Sequence, residues 1–110
     1  MSTESAPRRV RACSVDEVGV GATFKFETDG TAICVVHCDD GFHAVSDTCS
    51  HEDYSLSEGE VEPAQCEIEC WKHGSLFSLT TGEPLTLPAT LPIEVYPVEV
   101  EGNSVFVVLP

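Results

Sequence analysis

Positive charge is scarce. Of 110 residues, 5 are lysine or arginine against 19 aspartate or glutamate, a formal net charge of -14 at neutral pH. Three of the bases, Arg8, Arg9 and Arg11, fall near the start, and beyond them only Lys25 and Lys72 are positive. Such a surface repels nucleic acid and anionic lipid, which are excluded as partners, and attracts proteins with a basic docking face. The other reading is that the acidity only maintains solubility. Long apolar runs are missing too: none approaches the roughly 20 residues needed to span a bilayer, and no apolar signal core stands near the start. The expectation is a cytoplasmic, membrane-free protein, monomeric in solution.

Helical periodicity is nearly absent. Ser14-Val15-Asp16-Glu17-Val18 predicts one capped turn, with Ser14 as cap and Glu17 completing a capping box. Elsewhere apolar residues alternate or run in short blocks broken by Gly, Pro and Asp, the pattern of strands. The candidates are Thr23 to Thr28, Thr31 to Cys38, Phe42 to Ser46, Glu67 to Cys70, Pro92 to Val100 and Ser104 to Leu109. Asp29-Gly30 and Gly102-Asn103 are placed to turn hairpins, because these residues accept positive φ cheaply. The fold class is all-β. A chain this short supports one modest core: residues 1–9, polar and aperiodic, read as a flexible N-terminal arm, and 10–110 as the domain.

Six cysteines in a chain without a secretion signal point to ligands or free thiols, so no structural disulfide is expected. Two pairs stand out: Cys49 with His51, and Cys70 with His73. In an extended segment residues i and i+2 face the same way with Cα atoms roughly 6.5 to 7 Å apart, which suits neighbouring irons better than one ion. Two thiolates and two imidazoles suit a 2Fe-2S cluster, one iron taking both sulfurs and the other both nitrogens. With two ferric irons, two sulfides, two thiolates and neutral imidazoles the charges sum to zero, so an electron is accepted more readily than by a cluster held by four thiolates. Two other metal sites remain open: a structural zinc on the same four residues, and a four-cysteine site of Cys34, Cys38, Cys66 and Cys70. The second is opposed by geometry, since same-face residues four apart on a strand are about 13 Å apart.

The pattern Cys49-x-His51, eighteen residues, then Cys70-x-x-His73-Gly74-Ser75 resembles the Rieske iron-sulfur proteins. Leu56-Ser57-Glu58-Gly59-Glu60-Val61, Leu87-Pro88-Ala89-Thr90, Val95-Tyr96-Pro97-Val98 and Val100-Glu101-Gly102-Asn103 extend the likeness to the small soluble Rieske ferredoxins, from about Val10 onward. The resemblance implies antiparallel sheets with two cluster-binding loops at the tip, and one Rieske 2Fe-2S cluster per chain held by Cys49, Cys70, His51 and His73. It implies a one-electron carrier rather than an enzyme, passing electrons from an NAD(P)H-dependent flavin reductase to the terminal oxygenase of an aromatic-ring dioxygenase system. The alternative is a Rieske ferredoxin of iron-sulfur cluster assembly, in electron supply or redox sensing, which Ile68-Glu69-Cys70-Trp71 and Leu87-Pro88-Ala89-Thr90 also resemble; a zinc-bearing interaction module is the third.

High-potential members of the family carry an extra cysteine after each ligand pair and a Ser-x-Tyr after the second His-Gly. Here Glu52-Asp53-Tyr54 and Trp71-Lys72 occupy the loops, so that disulfide cannot form. Ser75 remains as a donor to the cluster, and Phe77 stands in place of the tyrosine. The expected potential is in the lower half of the Rieske range of ~-150 to +300 mV. Trp71 and Pro88 are candidates to shield the cluster. An oxygenase active site would need a further iron held by two histidines and a carboxylate, and only His37 and His43 are left to supply it.

Overall fold

In the computed structural model, residues 8–28, 30–48, 55–71, 74–87 and 91–109 are described. They form ten strands: β1 (Arg8–Ser14), β2 (Thr23–Thr28), β3 (Thr31–Cys38), β4 (Gly41–Ser46), β5 (Glu60–Glu62), β6 (Glu67–Glu69), β7 (Leu76–Ser78), β8 (Val95–Tyr96), β9 (Val98–Glu101) and β10 (Ser104–Leu109). The only helical pieces among them are single 3₁₀ turns at Val15–Glu17 and Leu56–Glu58. In the first, the Ser14 N–H donates to the Glu17 carboxylate at 2.8 Å, as the capping pattern predicts.

Every strand pairing is antiparallel. The strands form three sheets, ordered β1-β10-β9, β2-β3-β4-β8 and β5-β6-β7. β3 is the shared wall. Its side chains alternate between faces, so Ile33 and Val35 enter one core with Val105, Val107 and Leu109 of β10. Cys34, Val36 and Cys38 enter the other, with Ile68 and Phe77 of the small β5-β6-β7 sheet and with Leu56 and Leu79. The small sheet therefore rests on the larger sheet through one buried face.

Three departures from the sequence-based expectations have identifiable physical causes. β1 starts at Arg8, inside the stretch read as arm: Arg8 pairs with Leu109 and Arg9 with Val108. Arg9 looks merely polar in sequence, but its guanidinium lies 4.1 Å over the Phe106 ring and contacts Glu101 at 2.6 Å and Glu99 at 3.2 Å. The Pro92 to Val100 run is split at Pro97, where β8 ends on β4 and β9 begins on β10. Proline has no N–H for a ladder, and its carbonyl instead accepts from Val108 N–H at 2.9 Å. β5 and β7, three residues each, are too short to show alternation in sequence. Residues 1–7 lie outside the described residues.

Candidate metal centre

Two loops leave the scaffold at the two Cys–His pairs of the sequence. The second joins β6 to β7, and its closure is local: Cys70 N–H donates to the Ser75 carbonyl at 2.8 Å and Gly74 N–H to the Cys70 carbonyl at 2.9 Å. Gly74 sits at φ 77°, a left-handed conformation that disfavours any residue with a Cβ. The glycine of the motif thus has a mechanical reason: it lets the chain reverse within the four residues between Cys70 and Ser75. Cys70 is buried and so is Ser75, whereas Trp71 is 49% exposed. Trp71 therefore does not pack in the core. Phe77 is fully buried on β7, opposite Ile68 of β6.

The first loop leaves after Thr48 and returns at Ser55, and these two residues form an isolated antiparallel bridge. Its base is fastened by Asp47, which sequence reasoning missed. The Asp47 carbonyl accepts from Leu56 N–H at 2.6 Å, one carboxylate oxygen accepts from Ser57 N–H at 2.9 Å, and the other accepts from the Ser55 hydroxyl. Lys25 Nζ stands 3.8 Å from the same carboxylate. An aspartate directly after an apolar strand and two residues before Cys49 was the available signal. Cys49, His51, His73 and Pro88 lie outside the described residues.

The other cysteines and histidines are distributed unevenly. Cys13 and Cys34 are buried thiols in separate cores, and burial pushes the Cys34 thiol far above its ordinary range. His37 stacks on Phe42 with ring centroids 4.0 Å apart and donates through Nδ1 to the Val18 carbonyl at 2.8 Å. Cys38, Asp40, His43 and Cys66, by contrast, bring one ligand atom each to within 4.8 Å of one another. The proposed four-cysteine set is not assembled: Cys38 and Cys66 meet, but Asp40 and His43, rather than Cys34 and Cys70, complete the group.

The Rieske family, described as "Rieske [2Fe-2S] domain", matches residues 8–97. The chain belongs to this family. This Rieske protein is 40% identical over 102 residues to the 3-phenylpropionate/cinnamic acid dioxygenase ferredoxin subunit of Shigella flexneri, covering 93% of this chain and 94% of that one. It superimposes on the ferredoxin of carbazole 1,9a-dioxygenase from Nocardioides aromaticivorans IC177 with a TM-score of 0.86 and 36% identity, over 94% and 97% of the two chains. A carbazole 1,9a-dioxygenase ferredoxin solved in complex with its oxygenase gives 0.84 and 34%, over 90% and 91%. This Rieske protein is accordingly a one-electron carrier with a 2Fe-2S cluster, and it has the all-β Rieske fold. Among the described residues no helix is long and apolar enough to cross a membrane.

The donor chemistry fits that cluster. Cys70 presents a thiol at the buried start of a loop closed on itself, and the sequence places an imidazole in the same loop and a second thiol and imidazole in the first. The buried Ser75 hydroxyl follows directly. Two thiolates and two imidazoles are the donor set that distinguishes Rieske centres from four-cysteine ones.

Proposed function

We propose that this Rieske protein is the ferredoxin of an aromatic-ring dioxygenase system, taking electrons singly from an NAD(P)H-dependent flavin reductase and delivering them to a terminal oxygenase, as a cytoplasmic monomer. Its kinship with the ferredoxin subunits of two dioxygenase systems, one of them solved with its oxygenase, is the observation that carries the proposal. Residues 10–110 make up the cluster-bearing domain, to which β1 adds Arg8 and Arg9. Cys49 and Cys70 hold one iron, and His51 and His73 the other. When bound, the cluster supplies a single electron-accepting and electron-donating centre.

The chain's own residues do the rest. The Cys70 backbone bonds to Ser75 and Gly74 and the Asp47 clamp on Ser57 fasten the ends of the two loops to the sheets. The Ser75 hydroxyl is a hydrogen-bond donor beside the thiolate loop, favouring the reduced, more negative state. Trp71, exposed between the second-loop ligands, lies where a partner would approach. The solvent face of β5-β6-β7 contributes Glu60, Glu62 and Glu69, which line an open cleft of about 310 Å³ with Gln65 and Leu76. Such a face complements a basic docking patch.

Electron paramagnetic resonance of the dithionite-reduced protein tests the ligand assignment. A rhombic signal with an average g below that of four-cysteine clusters is expected, lost in His51→Ala and in His73→Ala. A protein with its metal complement filled by zinc and no iron would overturn the proposal, as would a four-thiolate signal surviving both substitutions. Reconstitution with a flavin reductase and a ring-hydroxylating oxygenase then tests the role, turnover being expected only when the chain is present.

A further inference from the structure

The group formed by Cys38, Asp40, His43 and Cys66 is separate from the Rieske loops. Cys38 ends β3, Asp40 lies in the β3–β4 turn, and His43 is on β4. Cys66 arrives from the β5–β6 turn, at the opposite end of β6 from Cys70, and the three extended residues between them place the two Cα atoms about 13 Å apart. His43 Nε2 already lies 2.9 Å from Asp40 Oδ1, and the Cys38 and Cys66 sulfurs stand within 4.8 Å of each other. Neither cysteine is in a disulfide.

We propose that these four side chains form a second, mononuclear metal site, selective for a thiophilic divalent cation such as zinc. The donor set is two sulfurs, one imidazole nitrogen and one carboxylate oxygen, all accepted ligands of tetrahedral zinc. Bond lengths of about 2.0 to 2.3 Å put the ligand atoms of a tetrahedral ion about 3.3 to 3.8 Å apart. A group already confined within 4.8 Å closes on such an ion by side-chain adjustments alone, and is too tight to straddle a two-iron centre.

The backbone supports the same conclusion. Cys66 is the only non-glycine among the described residues with a left-handed backbone, at φ 58°, a conformation that a residue with a Cβ adopts at a cost. It is held there by Cys66 N–H donating to the Glu62 carbonyl at 2.8 Å and by its own carbonyl accepting from Leu79 N–H at 2.9 Å. Asp39 N–H donates to the Pro63 carbonyl at 3.1 Å, joining the same two turns. An ion here would link the β3–β4 turn to the β5–β6 turn, pinning the small sheet, and with it the second cluster loop, to the large one. Cys38 is buried, Cys66 and His43 are half-buried and Asp40 is exposed, so an ion has an entry path past Asp40.

The experiment is metal analysis of the intact, cluster-loaded protein after incubation with zinc and desalting, alongside cobalt(II) loading followed by absorption. One zinc per chain in addition to two irons is expected, together with thiolate-to-cobalt charge-transfer bands. Cys66→Ser and His43→Gln should abolish the zinc and the cobalt bands while leaving the iron content and the reduced paramagnetic signal in place. Asp40→Asn changes only an exposed carboxylate and should weaken zinc by more than about tenfold, the scale on which even outer partners of a metal ligand act. Absence of zinc in the native protein, zinc retained undiminished in all three variants, or a Cys38–Cys66 disulfide found by mass spectrometry after anaerobic purification would each overturn the site. The iron and paramagnetic readouts report the Rieske loops separately, so the two assignments stand or fall independently.

Discussion

A carboxylate that is 2% exposed, like Asp47, is costly to bury unless its oxygens are answered by donors. Here Ser55, Ser57 and, at longer range, Lys25 answer them. Asp47→Ala leaves the Ser57 N–H and the Ser55 hydroxyl without their acceptor, and hydrogen bonds to a charged group contribute about 1.5 to 3 kcal/mol each. A loss of roughly 2 to 4 kcal/mol is expected in urea unfolding, together with poor iron retention because the first loop loses its base. Asp47→Asn keeps an acceptor for Ser57 and should cost less than half as much. Ser75 belongs at this scale too. If its hydroxyl stabilises the reduced cluster with the net strength of a neutral hydrogen bond, Ser75→Ala lowers the potential by roughly 20 to 60 mV in direct voltammetry. An unchanged potential would remove Ser75 from the tuning residues.

Among elements, the strands that the sequence made legible are those with enough residues to alternate. β2, β3 and β10 fall on their expected bounds, because each carries six or more residues with a partner strand close in sequence or a clear apolar face. β5 and β7 were hidden by length, and β1 by arginines whose partners, Phe106, Glu99 and Glu101, are some ninety positions away. The pairs Cys49/His51 and Cys70/His73 stand out in the sequence because metal chemistry demands particular side chains at short spacing. The Asp47 clamp and the Cys38–Cys66 encounter do not, since each depends on residues joined only by folding. Gly59 illustrates a requirement at this scale: a Cβ there would stand 1.7 Å from the Glu69 carbonyl oxygen, so the turn Leu56–Glu58 can exit against β6 only through glycine. Gly59→Ala should displace the small sheet and cost about 1 to 3 kcal/mol, as overpacking does, visible as a lower unfolding midpoint. At the β9–β10 hairpin, Arg9 holds the exposed Glu101 carboxyl below its usual range. A depressed carboxylate pKa stabilises the fold above the unfolded value and loses that contribution as pH falls through the folded one. The Tm difference between the native protein and Glu101→Gln should therefore be present at neutral pH and shrink on acidification; a difference that grew in acid would contradict the pairing.

Across the whole molecule, a net charge of -14 works against compactness, since like charges repel more strongly once folded together. The small sheet concentrates that conflict. Its register sets Glu60 directly opposite Glu69, and Glu62 opposite Glu67, and like charges facing each other across strands are destabilising by about 0.2 to 1 kcal/mol. Charge placed against the interest of the fold, on the strand leading to Cys70, is accounted for if a basic partner relieves it on docking. Two opposite effects then follow from one double substitution. Glu62→Gln with Glu67→Gln should raise the midpoint of unfolding, because a repulsive pair is removed. It should also slow electron delivery to the oxygenase, because the steering field weakens. Raising ionic strength from about 0.01 to 0.15 M shortens the screening length from about 30 to 8 Å, so the native rate should fall steeply with salt and the variant's rate less so. Stopped-flow transfer measured across that range decides the matter: a stabilised variant with an unaltered, salt-independent rate would mean that the acidic face serves solubility and that docking is driven by apolar contacts such as the exposed Trp71.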